Sequence, residues 1–124
     1  MKLLTISGGS HPYEESTPVL ERFLKGAGHD VTVNWNADVL SDARELGQYD
    51  ALIFNPLRVN EIALNEAEQA GMKEFIRGGK GFVCIHIATC VPEGWPEYHE
   101  ITGGGWMTGT SFHPPYGHYT VSVS

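Results

Sequence analysis

The chain has 124 residues, of which 41% are hydrophobic and 19% are charged. This length is typical of one domain that can bury a core without disulfide bonds. The 8 lysine and arginine residues against 15 aspartate and glutamate residues give a net charge of −7, which argues against general nucleic-acid binding. The two cysteines form no disulfide framework, no apolar run is long enough to span a bilayer, and no signal peptide is visible. The composition therefore predicts a cytoplasmic protein with neither nucleic acid nor membrane as a partner.

Apolar runs alternate with helical patterns along the chain. The apolar runs predict five strands, at 2–7, 29–35, 49–56, 82–85 and 118–124. Apolar residues at helical spacing predict helices within 17–29, 40–49, 60–77 and 95–102. The predicted N-caps are Thr17, followed by Pro18 at the first helical position, then Ser41 and Asn60. Such alternation predicts an α/β fold with a parallel sheet between two layers of helices.

The predicted strand at 118–124 has no helix after it to cover the edge of the sheet. A bare edge strand is uncommon in natural proteins. Three explanations stay open: the edge is exposed, the chain is the first part of a longer domain, or a second copy in a homo-oligomer covers it.

Polar residues follow three of the predicted strands. His11 lies after the first strand, Asn55 ends the third, and His86 ends the fourth. Because the carboxyl ends of parallel strands lie on one edge of the sheet, where ligands bind in such folds, we expect these residues to converge.

The first loop, SGGSHPYEES at 7–16, contains two glycines but matches no nucleotide-binding fingerprint. Its carboxylates would repel phosphate, and it lacks a hydroxyl-rich phosphate nest, so neither a nucleotide nor a flavin is expected. Two interpretations stay open. The loop is a tight turn with solvated acids, or it offers His11, Tyr13 and Glu14 to a neutral polar ligand such as a sugar, or to a metal.

The stretch GGKGFVCIHIATC, at 78–90, delivers His86 to a strand-to-helix elbow, where a reactive side chain points out of the sheet. Cys84 lies two residues earlier, inside the strand, where a cysteine is usually an inert small hydrophobic residue. Cys90 follows in the loop with no histidine fixed beside it. The alternative for His86 is a core histidine satisfied by one hydrogen bond, but its place at the strand end favours function.

The segment 93–119 is rich in histidines, carboxylates, aromatic residues and glycines. Histidines and carboxylates are common metal ligands, although their spacing here matches no standard metal motif. Aromatic side chains such as Trp95 and Tyr98 are also typical of carbohydrate sites. The alternative to a binding site is that this segment is simply a well-packed lid.

Several of these segments together resemble the ThuA-like (trehalose utilisation) family. The resemblance rests on H-x-x-E after the first strand (His11 to Glu14), on GGKGFVCIH, and on a late G-G…H-P that ends at His113-Pro114. It covers nearly the whole chain and implies a single domain over 1–124. It also implies the flavodoxin-like three-layer fold of the class I glutamine amidotransferase-like superfamily, with a mostly parallel five-stranded sheet. Members of the family are usually longer, which leaves open that the chain is a C-terminally truncated form.

In amidotransferases of this superfamily the fourth strand ends in a nucleophilic cysteine, and the resemblance puts His86 at that position. Glutamine hydrolysis is therefore not expected, because an imidazole does not replace a thiolate in that role. The resemblance implies instead a role in trehalose or 3-keto-glycoside metabolism, by acid/base chemistry. The candidate catalytic residues are His86, His11, Glu14 and His113. The candidate substrate-binding residues are Tyr13, Asn55, Trp95 and Tyr98.

The same resemblance allows a divalent metal, with His11, His86 and His113 as its candidate ligands. An isomerase, lyase or hydrolase acting on a small sugar is the leading hypothesis. A non-catalytic module that binds a carbohydrate or a protein is the second. An amidotransferase-type hydrolase that uses Cys84 or Cys90 is the third.

Overall fold

The computed structural model describes residues 1–60, 63–90, 92, 94–115 and 117–123. Within these residues there is one parallel sheet, built from β1 (Lys2–Ile6), β2 (Asp30–Asn34), β3 (Ala51–Phe54) and β4 (Gly81–Cys84). The order across the sheet is β2-β1-β3-β4, as in the first four strands of the flavodoxin-like order. The predicted parallel α/β fold is therefore confirmed.

Helices lie between the strands and after β4. They are α1 (Tyr13–Gly26), α2 (Ala43–Leu46), α3 (Glu66–Arg77) and α4 (Tyr98–Thr102), with 3-10 turns at Asp38–Ser41 and His86–Thr89. Within the described part of the chain, no helix combines the length and the apolar character needed to cross a membrane.

The two faces of the sheet bury separate groups of side chains, because successive residues of a strand point to opposite faces. One face packs against Met72 and Phe75 of α3, and its buried strand residues are Leu4, Ile6, Leu52 and Phe54. The other face packs against Leu20 and Leu24 of α1, and its buried strand residues are Leu3, Val31, Ala51 and Ile53. This two-sided burial holds the strand ends in fixed positions at the carboxyl edge.

The predicted fifth strand is wrong for the residues that can be judged. No strand forms at 118–123, and Ser124 lies outside the described residues. Tyr119, Val121 and Val123 alternate as a strand would, yet all three are largely exposed. Alternation is a local property, whereas a strand also needs a neighbouring backbone to pair with, and these residues have none in the described chain.

Helix α1 begins at Tyr13, one turn before the predicted start. Thr17 is not its N-cap, because the Thr17 side chain is buried and donates a hydrogen bond to the Ser7 hydroxyl at 3.0 Å. Pro18 consequently lies inside the helix, where it cannot donate to the carbonyl of Glu14. Glu14 instead occupies the first turn, where the helix dipole favours a negative charge.

Helix α3 begins at Glu66 rather than near Asn60. Its N-cap is Asn65, whose side chain accepts hydrogen bonds from the backbone N–H groups of Ala67 and Glu68, while the Glu68 carboxylate accepts one from the Asn65 N–H. This reciprocal capping satisfies free backbone N–H groups at the start of α3. Asn60, whose φ is +55°, lies too far before the start of the helix to reach them. Residues 61 and 62 of the predicted helix lie outside the described residues.

Helix α2 is also capped by a residue other than the predicted one. Ser41 ends the preceding 3-10 turn, and Asp42 accepts hydrogen bonds from the N–H groups of Arg44 and Glu45 at 2.9 Å. The Asp42 carboxylate suits this position because it accepts these hydrogen bonds and its charge also interacts favourably with the helix dipole.

Candidate active site

The loop after β1 is packed tightly against the loop after β3. Gly9 has φ of +111°, and a Cβ there would clash with the carbonyl oxygen of Leu57. The Leu57 N–H donates to the Gly8 carbonyl at 3.1 Å. Glycine is therefore needed at position 9 both for its backbone conformation and for this close approach, which fixes the path of the loop to His11.

Three aromatic rings lie in a row at the carboxyl edge of the sheet. The centroid of the His11 ring is 5.6 Å from that of His86, with an angle of 51° between the planes. The His11 ring also stacks on Tyr13, with centroids 5.9 Å apart and an angle of 26° between the planes. The expected approach of His11 and His86 is thus seen in the structure, since the ends of β1 and β4 share one edge.

The His11 ring is held in one tautomer by its own loop. Its Nδ1 lies 3.0 Å from the Ser10 carbonyl oxygen, which can only accept a hydrogen bond. Nδ1 must therefore carry the proton, and in the neutral ring Nε2 keeps a free lone pair. This nitrogen can accept a proton from a ligand.

His86 has a backbone conformation that is unusual for a histidine. Its φ is +54°, in the left-handed region, and it lies between β4 and the 3-10 turn that it begins. The Thr89 hydroxyl donates to the His86 carbonyl at 2.9 Å and so closes this turn. The sharp turn is the elbow expected from the sequence, and strained residues of this kind concentrate at functional sites. The His86 side chain is exposed.

Tyr13 and Glu14 begin α1 but differ in environment. Burial raises the pKa of the Tyr13 hydroxyl above its ordinary value, while the Leu57 backbone and the Arg58 charge act in the opposite direction. Tyr13 thus presents a ring to His11 rather than an acidic hydroxyl to solvent. Glu14 is exposed and forms no hydrogen bond or ion pair with another described residue.

Asn55 lies at the predicted edge but faces inward. Its side chain is buried, and its Nδ2 donates to the Ser7 hydroxyl at 3.3 Å. The carboxamide nitrogen is thus engaged within the fold. Ser7 and Thr17 are the other members of this buried group, and nothing in the linear pattern indicates that their hydroxyls meet.

Trp95 and Tyr98 are parts of the core, and a role in stacking on a sugar does not agree with that placement. Both are buried, with ring centroids 5.1 Å apart. The Tyr98 hydroxyl donates to the Ala88 carbonyl at 2.7 Å, and its pKa is raised by burial and by the neighbouring Cys84. The hydrogen bond from Tyr98 to Ala88 anchors the turn after His86.

His113 packs beside Trp106 rather than in the row of rings. The two ring centroids are 5.8 Å apart, and the His113 Nδ1–H donates to the Pro114 carbonyl at 3.0 Å. Among the described residues, no three side chains of histidine, cysteine, aspartate or glutamate are grouped so that they could hold a metal ion. His11, His86 and His113 therefore do not fit the proposed three-histidine metal site in this arrangement.

The two cysteines lie beneath the elbow. The Cys84 Sγ is 3.6 Å from the Tyr98 hydroxyl, and burial raises the pKa of the thiol. Such a thiol is mostly protonated at neutral pH and is a poor nucleophile. Cys90 is half-buried, and neither cysteine forms a disulfide. These properties agree with the interpretation of Cys84 as a packing residue.

The fold defines a parallel α/β protein in which the rings of His11 and His86 lie 5.6 Å apart at the carboxyl edge of the sheet. The family model of ThuA, described as trehalose utilisation, matches residues 2–124. The chain therefore belongs to the ThuA family, which links it to trehalose utilisation. Comparisons with curated proteins and with solved structures found no match.

Proposed function

We propose that the chain acts on a sugar carrying a ketone, as an acid/base catalyst in trehalose utilisation, with His11 and His86 as its proton-transfer pair. The observation that carries the proposal is the 5.6 Å separation of the two rings at the edge where parallel α/β folds bind ligands. Membership of the ThuA family supports a sugar as the substrate, and the geometry of the two rings supports acid/base chemistry.

His11 is suited to the role of base. Because its Nδ1–H is held by the Ser10 carbonyl, the lone pair of Nε2 is available for a proton from the substrate. The stack on Tyr13 restrains the ring in this orientation. A restrained base needs little reorganisation at the moment of proton transfer.

His86 is suited to the role of acid. The exposed side chain of His86 stands on a turn whose backbone is fixed by Thr89 and by strand β4. A protonated His86 can donate to the ketone oxygen as negative charge develops there.

The proposed step balances without an oxidant or a reductant. Nε2 of His11 takes the proton from the carbon next to the ketone, and the electron pair of that C–H bond forms a carbon–carbon double bond. The electrons of the C=O bond move to oxygen, which takes a proton from His86. The product is an enediol or enol, which can be reprotonated or can expel a leaving group on the adjacent carbon. No part of this step is routed through a metal, because the described donors do not form a three-ligand site.

The test is exchange of the substrate's hydrogen with solvent. A 3-keto-glycoside is incubated with the protein in D2O, and proton NMR follows the loss of the signal next to the ketone. We expect His86→Ala and His11→Ala to lose the exchange activity. The matched control is His118→Ala, which removes an exposed histidine outside the row of rings and should leave the rate unchanged.

Full exchange activity in His86→Ala would rule out this assignment. Binding of the keto-glycoside by calorimetry, with no exchange in the wild-type protein, would instead support the non-catalytic binding module. An amidotransferase mechanism has less support, because the Cys84 thiol is partly buried and its pKa is raised by that burial.

A further inference from the structure

A buried polar network lies at the carboxyl ends of β1 and β3. It consists of Ser7, Thr17 and Asn55, whose exposed fractions are 0%, 2% and 8%. The Thr17 hydroxyl and the Asn55 amide both donate to the Ser7 hydroxyl oxygen, at 3.0 Å and 3.3 Å. The network thus joins three elements: Ser7 follows β1, Thr17 lies in α1, and Asn55 follows β3.

The Ser7 hydroxyl is saturated as an acceptor by hydrogen bonds from within the network. A serine hydroxyl has two acceptor lone pairs, and the donors from Thr17 and Asn55 occupy both. Ser7 consequently has no acceptor left for a ligand. Its backbone is fixed as well, because the Ser7 N–H donates to the Asn34 carbonyl at 2.9 Å. The Ser7 hydroxyl therefore acts on a ligand only through other residues.

The connection to the rings runs through α1. Tyr13 and Thr17 are the two buried residues of that helix and lie one turn apart, on the same face. A hydrogen bond that fixes Thr17 against the end of β1 also fixes the rotation of the helix about its axis. The Tyr13 ring, and the His11 ring stacked on it, are then held at a set distance from His86.

We propose that Ser7, Thr17 and Asn55 are positioning residues that set the separation of the His11 and His86 rings. The proposal rests on the proposed function, since it explains how the proton-transfer pair is held. It also gives Asn55 a role that agrees with its burial. The Ser7 hydroxyl, whose acceptor sites are both occupied, contributes no contact to the substrate.

The experiment compares Thr17→Val, which keeps the shape of the side chain and removes its hydroxyl, with Thr17→Ser, which keeps the hydroxyl. The measurement is the set of nuclear Overhauser cross-peaks between ring protons of Tyr13, His11 and His86, recorded well below the unfolding temperature. We expect wild type and Thr17→Ser to show the His11–His86 cross-peak, and Thr17→Val to lose it while remaining folded.

Thr5→Val is the matched control. Thr5 is a buried threonine of β1 whose hydroxyl has no hydrogen-bond partner among the described residues. Its replacement removes a buried hydroxyl without touching the network, so the cross-peak should persist. A general loss of packing would affect both valine variants alike, whereas loss of positioning affects only Thr17→Val.

An unchanged His11–His86 cross-peak in folded Thr17→Val would overturn the proposal. If that variant does not fold, Ser7→Ala removes the shared acceptor instead, and persistence of the cross-peak there is equally decisive. The measurement needs no substrate, so its failure is distinct from failure of the proposed function. That function is judged by the exchange assay alone.

Discussion

The rings of His11 and His86 lie with their centroids 5.6 Å apart and their planes tilted by 51°, although His11 follows the first strand and His86 follows the fourth. Two features produce this approach. The parallel sheet brings both strand ends to one edge, and the positive φ of His86 turns its side chain out of the strand at that edge. The following predictions test how this arrangement is maintained and what chemistry it permits.

The elbow at His86 should be strained in a way that glycine relieves. A non-glycine residue in the left-handed region costs about 1–2 kcal/mol. We expect the His86→Gly variant to be more stable than the His86→Ala variant, with a free energy of unfolding about 1 kcal/mol higher. The greater entropy of glycine in the unfolded chain offsets part of the relief of strain. Urea denaturation of the two variants measures the difference. Equal stability would mean that the elbow stores no strain.

Gly9 should tolerate no side chain. Gly9→Ala places a Cβ against the Leu57 carbonyl oxygen, at a residue whose φ is also positive, and we expect a loss of at least about 3 kcal/mol in stability. Gly28→Ala is the matched control, since its φ is +85° but no atom lies within 4 Å of the added Cβ. It should lose only about 1 kcal/mol. Similar losses in thermal or urea unfolding would show that the contact with Leu57 is unimportant.

The Cys84 thiol should react slowly at neutral pH. Its pKa is raised by burial, so at any pH below that pKa its thiolate fraction is smaller than that of a free cysteine. In a Cys90→Ser variant, iodoacetamide should modify native Cys84 slowly at neutral pH and faster as the pH rises. The denatured variant should react at the rate of a free thiol. Rapid alkylation of the native form at neutral pH would revive the amidotransferase hypothesis.

Removal of divalent metal should leave solvent exchange unchanged. No three described side chains with metal-binding groups come together, and His113 packs beside Trp106 instead. We therefore expect the same exchange rate after dialysis against EDTA as after dialysis against buffer, and no loss in His113→Ala. A loss on chelation that Zn2+ restores would mean that the three histidines assemble in another arrangement.

Much of the fold and part of the site were predictable, because they depend on local patterns. Apolar runs predicted β1 to β4 to within a few residues, and glycine and charge patterns predicted where α3 ends. The position of His86 at an elbow followed from the apolar run before it. The predicted cap at Thr17 was wrong because its hydroxyl is engaged by Ser7 on another element, and a linear pattern carries no information about such a contact. The predicted cap at Asn60 was wrong because Asn65, five residues later, caps the helix.

The amino-acid sequence by itself determined the class of fold and the edge of the sheet where chemistry should occur, because hydrophobic periodicity sets the strands and parallel connections align their ends. The tertiary structure alone decided which side chains reach that edge. In the folded chain the side chains of Asn55 and Thr17 bond to Ser7, and His11 lies beside His86. Trp95 and Tyr98 are buried. The physical reason is that hydrogen-bond partners and burial arise from packing between elements, whereas periodicity specifies only the elements themselves.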